Sequence, residues 1–554
     1  MTVQTPDTQA KTKLRDGPPL LAGSALLVAG ICALPMLAVF IAAVTGGTET
    51  VAHLMDTVLG RYTVTTLVLV ALVSVGTFAI GVGAAWLVTM TRFPGAKVLE
   101  IALVLPLAFP AYVLAYAYTD LLDHPGIVQT TLRALTGWGP RDYWFPDIRS
   151  LGGAAMMLVL VLYPYVYLLA RAAFLQQSGT TFLAARALGS SAFAAFFKVS
   201  LPLARPAIAG GVLLAVMETI ADFGTVAYFG VQTFATGIYT AWFSMFDRAA
   251  AAQLALWLLS FALLLAVLER AQRGRARYHD PARRSQAMPP MPLKGWHAAG
   301  AMILCGIPVV FGAVLPAVVL FNMGLGSEQN LLSPRYLGFI RNSVTLASIA
   351  AVVTVFAAIC VGFFSRMRPG RLSAGSAYVA RLGYAVPGGV IAVGLLVPFA
   401  ALDNAFDAWM RATFDVSTGL LITGSIWLLI VAYLVRFLAA ALGAYEGGQA
   451  MVHVNMDHAA RSLGQTPLGT LRRVHLPILA PSLLTALLIV FVDVMKELPA
   501  TLIMRPFNYD TLAVQAYRLA SDERLEGAAV PSLVIVAMGL LPVILICRQV
   551  GRPR

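Results

Sequence analysis

Charged residues are scarce in this chain. Asp, Glu, Lys and Arg make up 12% of its 554 residues, whereas a soluble domain carries about 25%. Hydrophobic residues reach 59%, and the mean hydropathy is +0.79. This composition excludes an ordinary soluble domain and predicts an integral membrane protein.

Cysteine is also rare. The four cysteines all lie inside apolar runs, and none belongs to a Cys-x-x-Cys pair. The pattern argues against a disulfide framework and against a zinc site of the usual spacing, so we predict no metal site. The four residues are Cys32, Cys305, Cys360 and Cys547.

The sequence lacks the motifs of common hydrolytic enzymes. It contains no Gly-Lys pair and therefore no G-x-x-x-x-G-K-[ST] phosphate loop. H-E-x-x-H and G-x-S-x-G are absent as well. We therefore expect that the chain is not an enzyme, holds no cofactor and does not hydrolyse ATP alone.

Apolar runs of about 20 residues, long enough to cross about 30 Å of hydrocarbon, occur about twelve times. The net charge of +13 would suit a nucleic-acid-binding protein, or the Lys/Arg excess on the cytoplasmic side of a membrane protein. The runs favour the second interpretation, with membrane lipid and no nucleic acid as a partner. They lie near 20–44, 63–90, 99–119, 151–174, 206–228, 250–269, 296–322, 342–365, 376–401, 418–440, 480–502 and 527–547.

Basic residues are concentrated in every second loop between these runs, and acidic residues in the others. Loops rich in Lys and Arg are expected on the cytoplasmic side. In a chain with twelve spans, both termini are then predicted to be cytoplasmic. The basic loops are those around Arg92, Arg186, Arg270 to Arg284, Arg366 and Arg461.

A short pattern occurs twice, 275 residues apart and without a gap: Ala-Ala-Arg-x-Leu-Gly, and then Leu-Pro. Six spans separate the copies, so both face the same side. The sequence therefore predicts an all-α polytopic membrane protein built from two parallel six-helix repeats. The matched residues are Ala184, Ala185, Arg186, Gly189, Leu201 and Pro202 in the first copy, and Ala459, Ala460, Arg461, Gly464, Leu476 and Pro477 in the second.

The predicted domain organisation follows from this repeat. The linker between the halves is basic and contains prolines; we interpret it as a tether near anionic lipid, with a regulatory role as the alternative. The units are an N-terminal cytoplasmic tail (1–19), a first transmembrane half (20–270), the basic cytoplasmic linker (271–295), a second transmembrane half (296–548) and a C-terminal tail (549–554).

Each copy of the pattern predicts two short helices separated by a sharp turn. Ala-Ala-Arg-x-Leu favours a helix, and the glycine suits a left-handed position after it. Ser191 and Thr466 can cap the next helix, and the Leu-Pro pair opens a span. Such a unit suits docking into a groove of a cytoplasmic protein, whereas the alternative is an ordinary solvated loop.

The duplicated pattern resembles the EAA motif of ABC importer permeases, Glu-Ala-Ala-x-x-x-Gly and then Leu-Pro, which forms the coupling helix that fits the ATPase. The glutamate position holds Leu183 and His458 here, so Arg186 and Arg461 become the candidate polar contacts. The resemblance implies the type I ABC importer permease fold. It also implies two copies of a cytoplasmic ATPase, which bind the ATP and Mg.

Two longer segments look like the fused ferric-iron importer permeases: Met217 to Tyr239 and Met495 to Leu512. That family carries both membrane halves in one chain. The resemblance implies a bacterial inner-membrane protein that receives ferric iron from a periplasmic substrate-binding protein. Permeases for thiamine, sulfate and phosphonate are relatives and remain alternatives.

Five ionisable residues fall inside the spans that follow the two loops. Ionisable groups at this depth are expensive and by default mark a transport pathway, so we predict a translocation pathway or gate there. In the alternative interpretation the helices end early, or the charges pair with each other at i, i+3 spacing. The five residues are Glu218, Asp222, Asp493, Lys496 and Glu497.

Two smaller groups carry weaker expectations. Acidic residues of an outer loop are expected to help dock the binding protein; they are Asp403, Asp407 and Asp415. Histidines near the second loop are expected to be loop or docking-surface residues, with a metal or pH sensor as the alternative; they are His453, His458 and His475.

A twelve-span secondary transporter driven by an ion gradient is a competing interpretation of the whole chain. It also has two parallel six-span halves. It does not predict twin Ala-Ala-Arg-x-Leu-Gly loops between the fourth and fifth span of each half. We therefore retain it as the alternative to an importer permease.

Overall fold

The structure is a computed structural model that describes residues 19–177, 179–275, 291–330 and 332–550. Most of the two predicted tails and residues 276–290 of the predicted linker lie outside the described residues.

Helices account for nearly all of the described chain. The α-helices of the first half are Pro19–Thr45, Thr48–Leu54, Gly60–Met90, Ala96–Ala102, Ala111–Leu122, Ile127–Thr136, Leu151–Gln176, Gly179–Ala187, Ala192–Ala195, Leu201–Ala221, Gly224–Tyr228, Phe234–Phe243 and Arg248–Arg275. Those of the second half are Trp296–Val309, Leu315–Gly326, Pro334–Met367, Arg371–Leu382, Gly388–Phe414, Ile426–Gln449, Val454–Ser462, Pro467–Thr470, Leu476–Met495, Pro499–Met504, Leu512–Ser521 and Leu525–Val550. Shorter elements are the π-helical turns Met55–Leu59, Phe196–Ser200, Val310–Val314 and Leu471–His475, and the 3-10 turns Leu105–Ala108 and Gly383–Ala385.

The predicted fold class is confirmed. Within the described ranges, 11 helices are long and apolar enough to cross a membrane, and there are 12 such spans if one bent pair counts as a single span. Elements of the first half recur in the second: residues 179–221 and 454–495 contain the same helices and the same π-helical turn at an offset of 275 residues. The two repeated halves are therefore visible in the structure as well as in the sequence.

Two predicted runs are each divided into two helices at a proline. The run 99–119 is bent by 94° just before Ala111, at Pro110, which lacks the N–H that a continuous helix needs. The run 376–401 is likewise divided before Gly388, where Pro387 precedes a new helix.

The predicted runs 206–228 and 480–502 end early as single helices, as in the alternative interpretation of their charges. Their long helices end at Ala221 and Met495, and a short separate helix follows in each half. Both breaks fall at ionisable residues, Asp222 in the first half and Lys496 and Glu497 in the second.

The halves interlock, since the first helix of each half packs against the other half. Pro19–Thr45 packs against Gly388–Phe414. Conversely, Leu315–Gly326 packs against Ala111–Leu122, and Tyr118 Oη donates a hydrogen bond to the backbone oxygen of the second half's Phe311 at 2.7 Å. This exchange joins the halves around a shared interface.

A two-stranded parallel pair joins the end of the predicted linker to the first half. Thr91–Arg92 pairs with Met291–Pro292, and the Leu293 N–H donates to the Arg92 carbonyl at 2.8 Å. The end of the linker therefore lies beside the segment that follows the helix Gly60–Met90.

Candidate functional site

The two duplicated loops, residues 179–200 and 454–475, have the same backbone geometry. Gly189 and Gly464 have φ of +85° and +75°, the left-handed conformation that glycine adopts without strain. In both copies the residue after the glycine donates to a carbonyl five residues earlier, at 3.1 Å and 3.0 Å. The predicted glycine-centred turn is therefore confirmed in both halves.

The predicted caps of the following short helices are also present. Ser191 Oγ accepts the Ala194 N–H at 3.1 Å, and Thr466 Oγ1 accepts the Gly469 N–H at 3.1 Å. Each cap satisfies an N–H that has no partner within its own helix. The regular helices then begin at Leu201 and Leu476, as the repeated Leu-Pro pairs predict.

Both loops present apolar and basic side chains to the exterior. Leu188 and Leu463, which precede the glycines, are 88% and 80% exposed. Arg186 is exposed and donates to the Ser190 carbonyl within its own loop at 2.9 Å. Arg461 lies 3.8 Å from the sulfur of Met367. Neither arginine forms a salt bridge among the described residues, so both remain available to a docking partner.

The second loop is held to the membrane helices by a buried polar cluster. Asp457 Oδ2 lies 2.8 Å from Arg366 Nε, and its Oδ1 lies 2.7 Å from His475 Nε2. Burial alone would raise the pKa of Asp457, but hydrogen bonds from His475 and Arg366 outweigh it and hold the pKa below its ordinary value. The corresponding positions of the first loop, Phe182 and Ser200, carry no charge.

The three histidines of the second loop have different surroundings. His475 is completely buried and binds Asp457, so it is not part of a docking surface. His458 is exposed. His453 begins the helix Val454–Ser462, where its Nδ1 accepts the Asn455 N–H at 3.2 Å.

A cavity of about 140 Å³ lies between the two halves, and all five ionisable residues predicted from the sequence line it. Residues far apart in the chain are thus brought together at one place. The five are Glu218, Asp222, Asp493, Lys496 and Glu497. Their shared location agrees with the predicted pathway; their role in transport stays a prediction.

Two of the four carboxylates among them cap the short helices that follow the long ones. The Asp222 carboxylate accepts the N–H groups of Thr225 and Val226, both at 3.2 Å. In the second half the Glu497 carboxylate accepts the N–H groups of Ala500 and Thr501 at 2.9 and 3.0 Å. A negative charge is favourable at a helix N-terminus, which explains why the chain breaks at these residues.

The other three ionisable residues have side-chain partners. Tyr384 Oη donates to Glu218 Oε1 at 2.9 Å across the interface between the halves. Lys496 Nζ lies 2.9 Å from Asp493 Oδ1, the i, i+3 pairing that was the alternative interpretation of these charges. Both interpretations therefore describe part of the geometry: the charges pair, and they do so on the wall of the cavity.

Comparison with known protein families matches one family twice. The binding-protein-dependent transport system inner membrane component matches residues 77–277 and again residues 355–550. The chain belongs to this family. It is therefore a multi-pass inner-membrane permease of an ABC importer, a component that works with an ATPase and a binding protein and is not itself a catalytic subunit.

Relatives of the permease include proteins named for ferric transport and proteins named for 2-aminoethylphosphonate transport. The permease is 24% identical over 490 residues to the Fe(3+)-transport system permease protein FbpB 2 of Haemophilus influenzae. The aligned residues cover 87% of this chain and 88% of that protein. It is also 24% identical over 559 residues to the ferric transport system permease protein FbpB of Actinobacillus pleuropneumoniae, covering 96% and 78%. The putative 2-aminoethylphosphonate transport system permease protein PhnV of Salmonella choleraesuis is 24% identical over 270 residues, covering 46% and 94%.

Sequence reasoning missed several residues of the permease's cavity. Arg436 lines it, and its buried Nη1 has no hydrogen-bond partner among the described residues. An arginine inside an apolar run is a signal that would have found it. Tyr112, Tyr165 and Tyr384 also line the cavity, but a tyrosine in an apolar run is indistinguishable from a core residue.

The acidic residues of the outer loop do not all have the docking role expected of them. Asp403 is buried and accepts backbone N–H groups of residues 422–423, so the prediction that it contacts a docking protein is wrong. Asp407 accepts backbone N–H groups in the same loop and pairs with Arg411 at 2.7 Å. These carboxylates fold the loop, whereas Asp415 is exposed and its docking role stays a prediction.

Proposed function

We propose that this permease moves ferric iron from a periplasmic binding protein into the cytoplasm, driven by two copies of a cytoplasmic ATPase. The ATP and Mg belong to that ATPase, and the chain itself carries no cofactor. The halves are residues 20–270 and 296–548, joined by the linker 271–295, with tails 1–19 and 549–554. The duplicated loops and both termini face the cytoplasm, as the basic loops indicate.

The cavity between the halves carries the proposal. Its ionisable and phenolic lining offers oxygen donors, namely four carboxylates and three tyrosines, and neither cysteine nor histidine. Ferric ion is a hard cation, and such cations favour oxygen ligands. Within the described residues no group of three or more His, Cys, Asp or Glu side chains is arranged to hold a metal ion. A weak polar lining suits a pathway, because a tight site would slow release.

The duplicated loops support the proposed coupling. Each presents an exposed leucine and an exposed arginine beside a rigid glycine turn, and each leads directly into a long helix that reaches the cavity. Closure of two ATPase subunits would draw the loops together. The helices that carry Glu218 and Asp493 would then move with them.

A phosphonate is the second candidate cargo. The unpartnered Arg436 Nη1 and Lys496 supply positive charge to the same cavity, and a guanidinium suits an oxyanion. Relatives named for 2-aminoethylphosphonate transport cover one half of the chain, whereas the relatives named for ferric transport cover most of it. This difference favours iron.

Uptake measurements separate these cargoes. Membrane vesicles containing the permease, its ATPase and its binding protein would be assayed for ATP-dependent uptake of ferric iron, 2-aminoethylphosphonate, sulfate and thiamine. We expect iron to accumulate, and an ATPase variant without catalytic activity to abolish the accumulation. Uptake of another cargo in place of iron would overturn the iron assignment. Uptake driven by an ion gradient without ATP would overturn the importer assignment.

A further inference from the structure

An ion pair joins the two halves on the face opposite the duplicated loops. Arg149 Nη1 and Nη2 donate to the two carboxylate oxygens of Glu523 at 2.6 and 2.8 Å. Arg149 belongs to the first half and Glu523 to the second, 374 residues later. Bidentate pairs of this kind are directional and stronger than single-point contacts.

The arginine is held in place from its own half. Arg149 Nε donates to Asp123 Oδ2 at 3.0 Å, and its guanidinium carbon lies 5.3 Å from the centre of the Tyr228 ring. Hydrogen bonds from Arg149 hold the pKa of Glu523 below its ordinary value. The guanidinium is thus held in position by its own half. The Glu523 side chain is 60% exposed, so it is the member of the pair that can move away.

The backbone at the glutamate is unusual. Glu523 has φ of +58°, a conformation that costs about 1–2 kcal/mol for a residue other than glycine. It follows the helix Leu512–Ser521, and the next N–H, that of Arg524, donates to the Leu519 carbonyl at 2.8 Å. Glycine would adopt this conformation without strain. Glutamate at this position supplies a carboxylate, but its backbone is strained.

A row of tyrosines whose rings contact one another connects this ion pair to the cavity. Tyr228, which lies under Arg149, contacts Tyr116 with ring centres 4.8 Å apart, and Tyr116 contacts Tyr112 at 5.8 Å. Tyr112 lines the cavity. The short helix Gly224–Tyr228 joins the same two places, since Asp222 caps its start at the cavity and Tyr228 ends it.

We infer that Arg149 and Glu523 form the outer gate of the transport pathway, which closes the cavity on the side opposite the ATPase. The pair spans the halves, so it must break when they separate on that side. The row of tyrosines runs from the ion pair to the cavity wall, so the pair opens next to the cavity when it breaks. This inference rests on the proposed function for its direction, since the gate is outer only if the duplicated loops are cytoplasmic.

Cysteine labelling tests the gate without requiring transport. Ala111→Cys places a thiol on the cavity wall, and a membrane-impermeant maleimide is added outside right-side-out spheroplasts. We expect E523Q and R149Q each to raise the labelling rate of this thiol at least about fivefold, the effect of losing about 1 kcal/mol of closure. The parent protein, with its own cysteines only, supplies the background rate.

R411Q is the matched control. It removes another ion pair on the same face, but Arg411 and its partner Asp407 lie in one helix of one half. We expect no change in labelling with R411Q. An unchanged rate in E523Q, or an equal rise in R411Q, overturns the gate. E523Q removes only the charge of an exposed side chain, so it keeps the test valid if R149Q does not fold.

A thiol on the second duplicated loop distinguishes a failure of the gate from a failure of the proposed function. Ser462→Cys is exposed on the second duplicated loop and is expected to stay unlabelled from outside. Labelling of this thiol from outside would overturn the proposed orientation. The gate itself is tested by supplying the maleimide from the side that carries Arg149 and Glu523, and it fails if E523Q then leaves the labelling rate of the cavity thiol unchanged or R411Q raises it equally.

Discussion

Asp222 and Glu497 make the same contact in the two halves. They lie 275 residues apart in the chain, and each carboxylate accepts hydrogen bonds from two N–H groups in the first turn of the short helix that follows it. Both residues also line the cavity between the halves. The duplicated unit therefore extends from the exposed loop, along a long helix, to a carboxylate cap at the cavity wall.

Removing one of these caps should destabilise the protein. Asp222→Ala leaves N–H groups of the helix Gly224–Tyr228 without an acceptor, and we expect a loss of about 1–2 kcal/mol. Asp222→Asn keeps an acceptor oxygen and should lose less than Asp222→Ala. Thermal unfolding of the purified protein in detergent measures both. Equal stability of the parent and Asp222→Ala would contradict the capping role.

The ion pair on the cavity wall should behave as a unit. Lys496→Met leaves the Asp493 carboxylate without its partner at 2.9 Å, and Asp493→Asn does the same to Lys496. Each single change is expected to cost about 1–3 kcal/mol, since a partly buried charge loses its partner. The double variant should cost less than the two single changes added together by about 0.5–3 kcal/mol. Strict additivity in a double-mutant cycle would show that the pair is not coupled.

The buried cluster below the second loop predicts a dependence on pH. Because folding lowers the pKa of Asp457, its contribution to stability is present above the unfolded pKa of about 3.9 and disappears as the pH falls through the lower folded value. Asp457→Asn should lose about 3–5 kcal/mol at neutral pH, as expected when a buried pair is broken. It should also flatten the stability curve below pH about 4. Unfolding measured across this range tests both effects.

The neighbouring exposed residue supplies a control for that experiment. His458→Asn changes a side chain that faces outward on the same short helix, and we expect its effect to stay within about 0.5 kcal/mol. Limited proteolysis of the second loop provides another measure: Asp457→Asn should expose the loop to cleavage, whereas His458→Asn should not. Similar cleavage of the two variants would show that Asp457 does not hold the loop.

The sequence was sufficient to predict the duplicated loops and the cavity charges, because both stand out chemically from their surroundings. Gly189 and Gly464 interrupt helix-forming stretches, and Glu218 and Asp493 are charges at matching depths in apolar runs. The helix breaks after Ala221 and Met495 were anticipated only in the alternative interpretation in which these helices end early, because hydropathy averages over the break. Tyr384 was missed because its partner, Glu218, is 166 residues away, and no local pattern records such a contact.

The glycine turns of the loops give a prediction about coupling. Gly189→Ala and Gly464→Ala force a side chain into the left-handed region, at a cost of about 1–2 kcal/mol each. We expect the double variant to lose retention of the ATPase in affinity copurification. Gly447→Ala is the control, because this helical glycine has an ordinary φ and open space around it. Full retention by the double variant would contradict a docking role for the turns.

Two adjacent glycines at the cavity allow a sharper test of its wall. A Cβ atom at Gly388 would lie 2.7 Å from Glu497 Oε1 and 2.8 Å from Arg436 Nη1, whereas a Cβ atom at Gly389 would lie 3.9 Å from the nearest atom, in Ile238. Gly388→Ala must therefore displace both charged groups, at a cost of about 1–3 kcal/mol, and we expect transport to fall at least about tenfold through the disturbed cavity.

Gly389→Ala meets only ordinary van der Waals contact and should keep nearly full uptake. Both glycines occupy the first turn of the helix Gly388–Phe414, so the two substitutions have the same effect on local helix propensity. A difference between them in ATP-dependent uptake, at matched amounts of folded protein, reports on the cavity and not on the helix. If Gly388→Ala transports as well as Gly389→Ala, then Glu497 and Arg436 can move freely without consequence, and the wall that they form does not control passage.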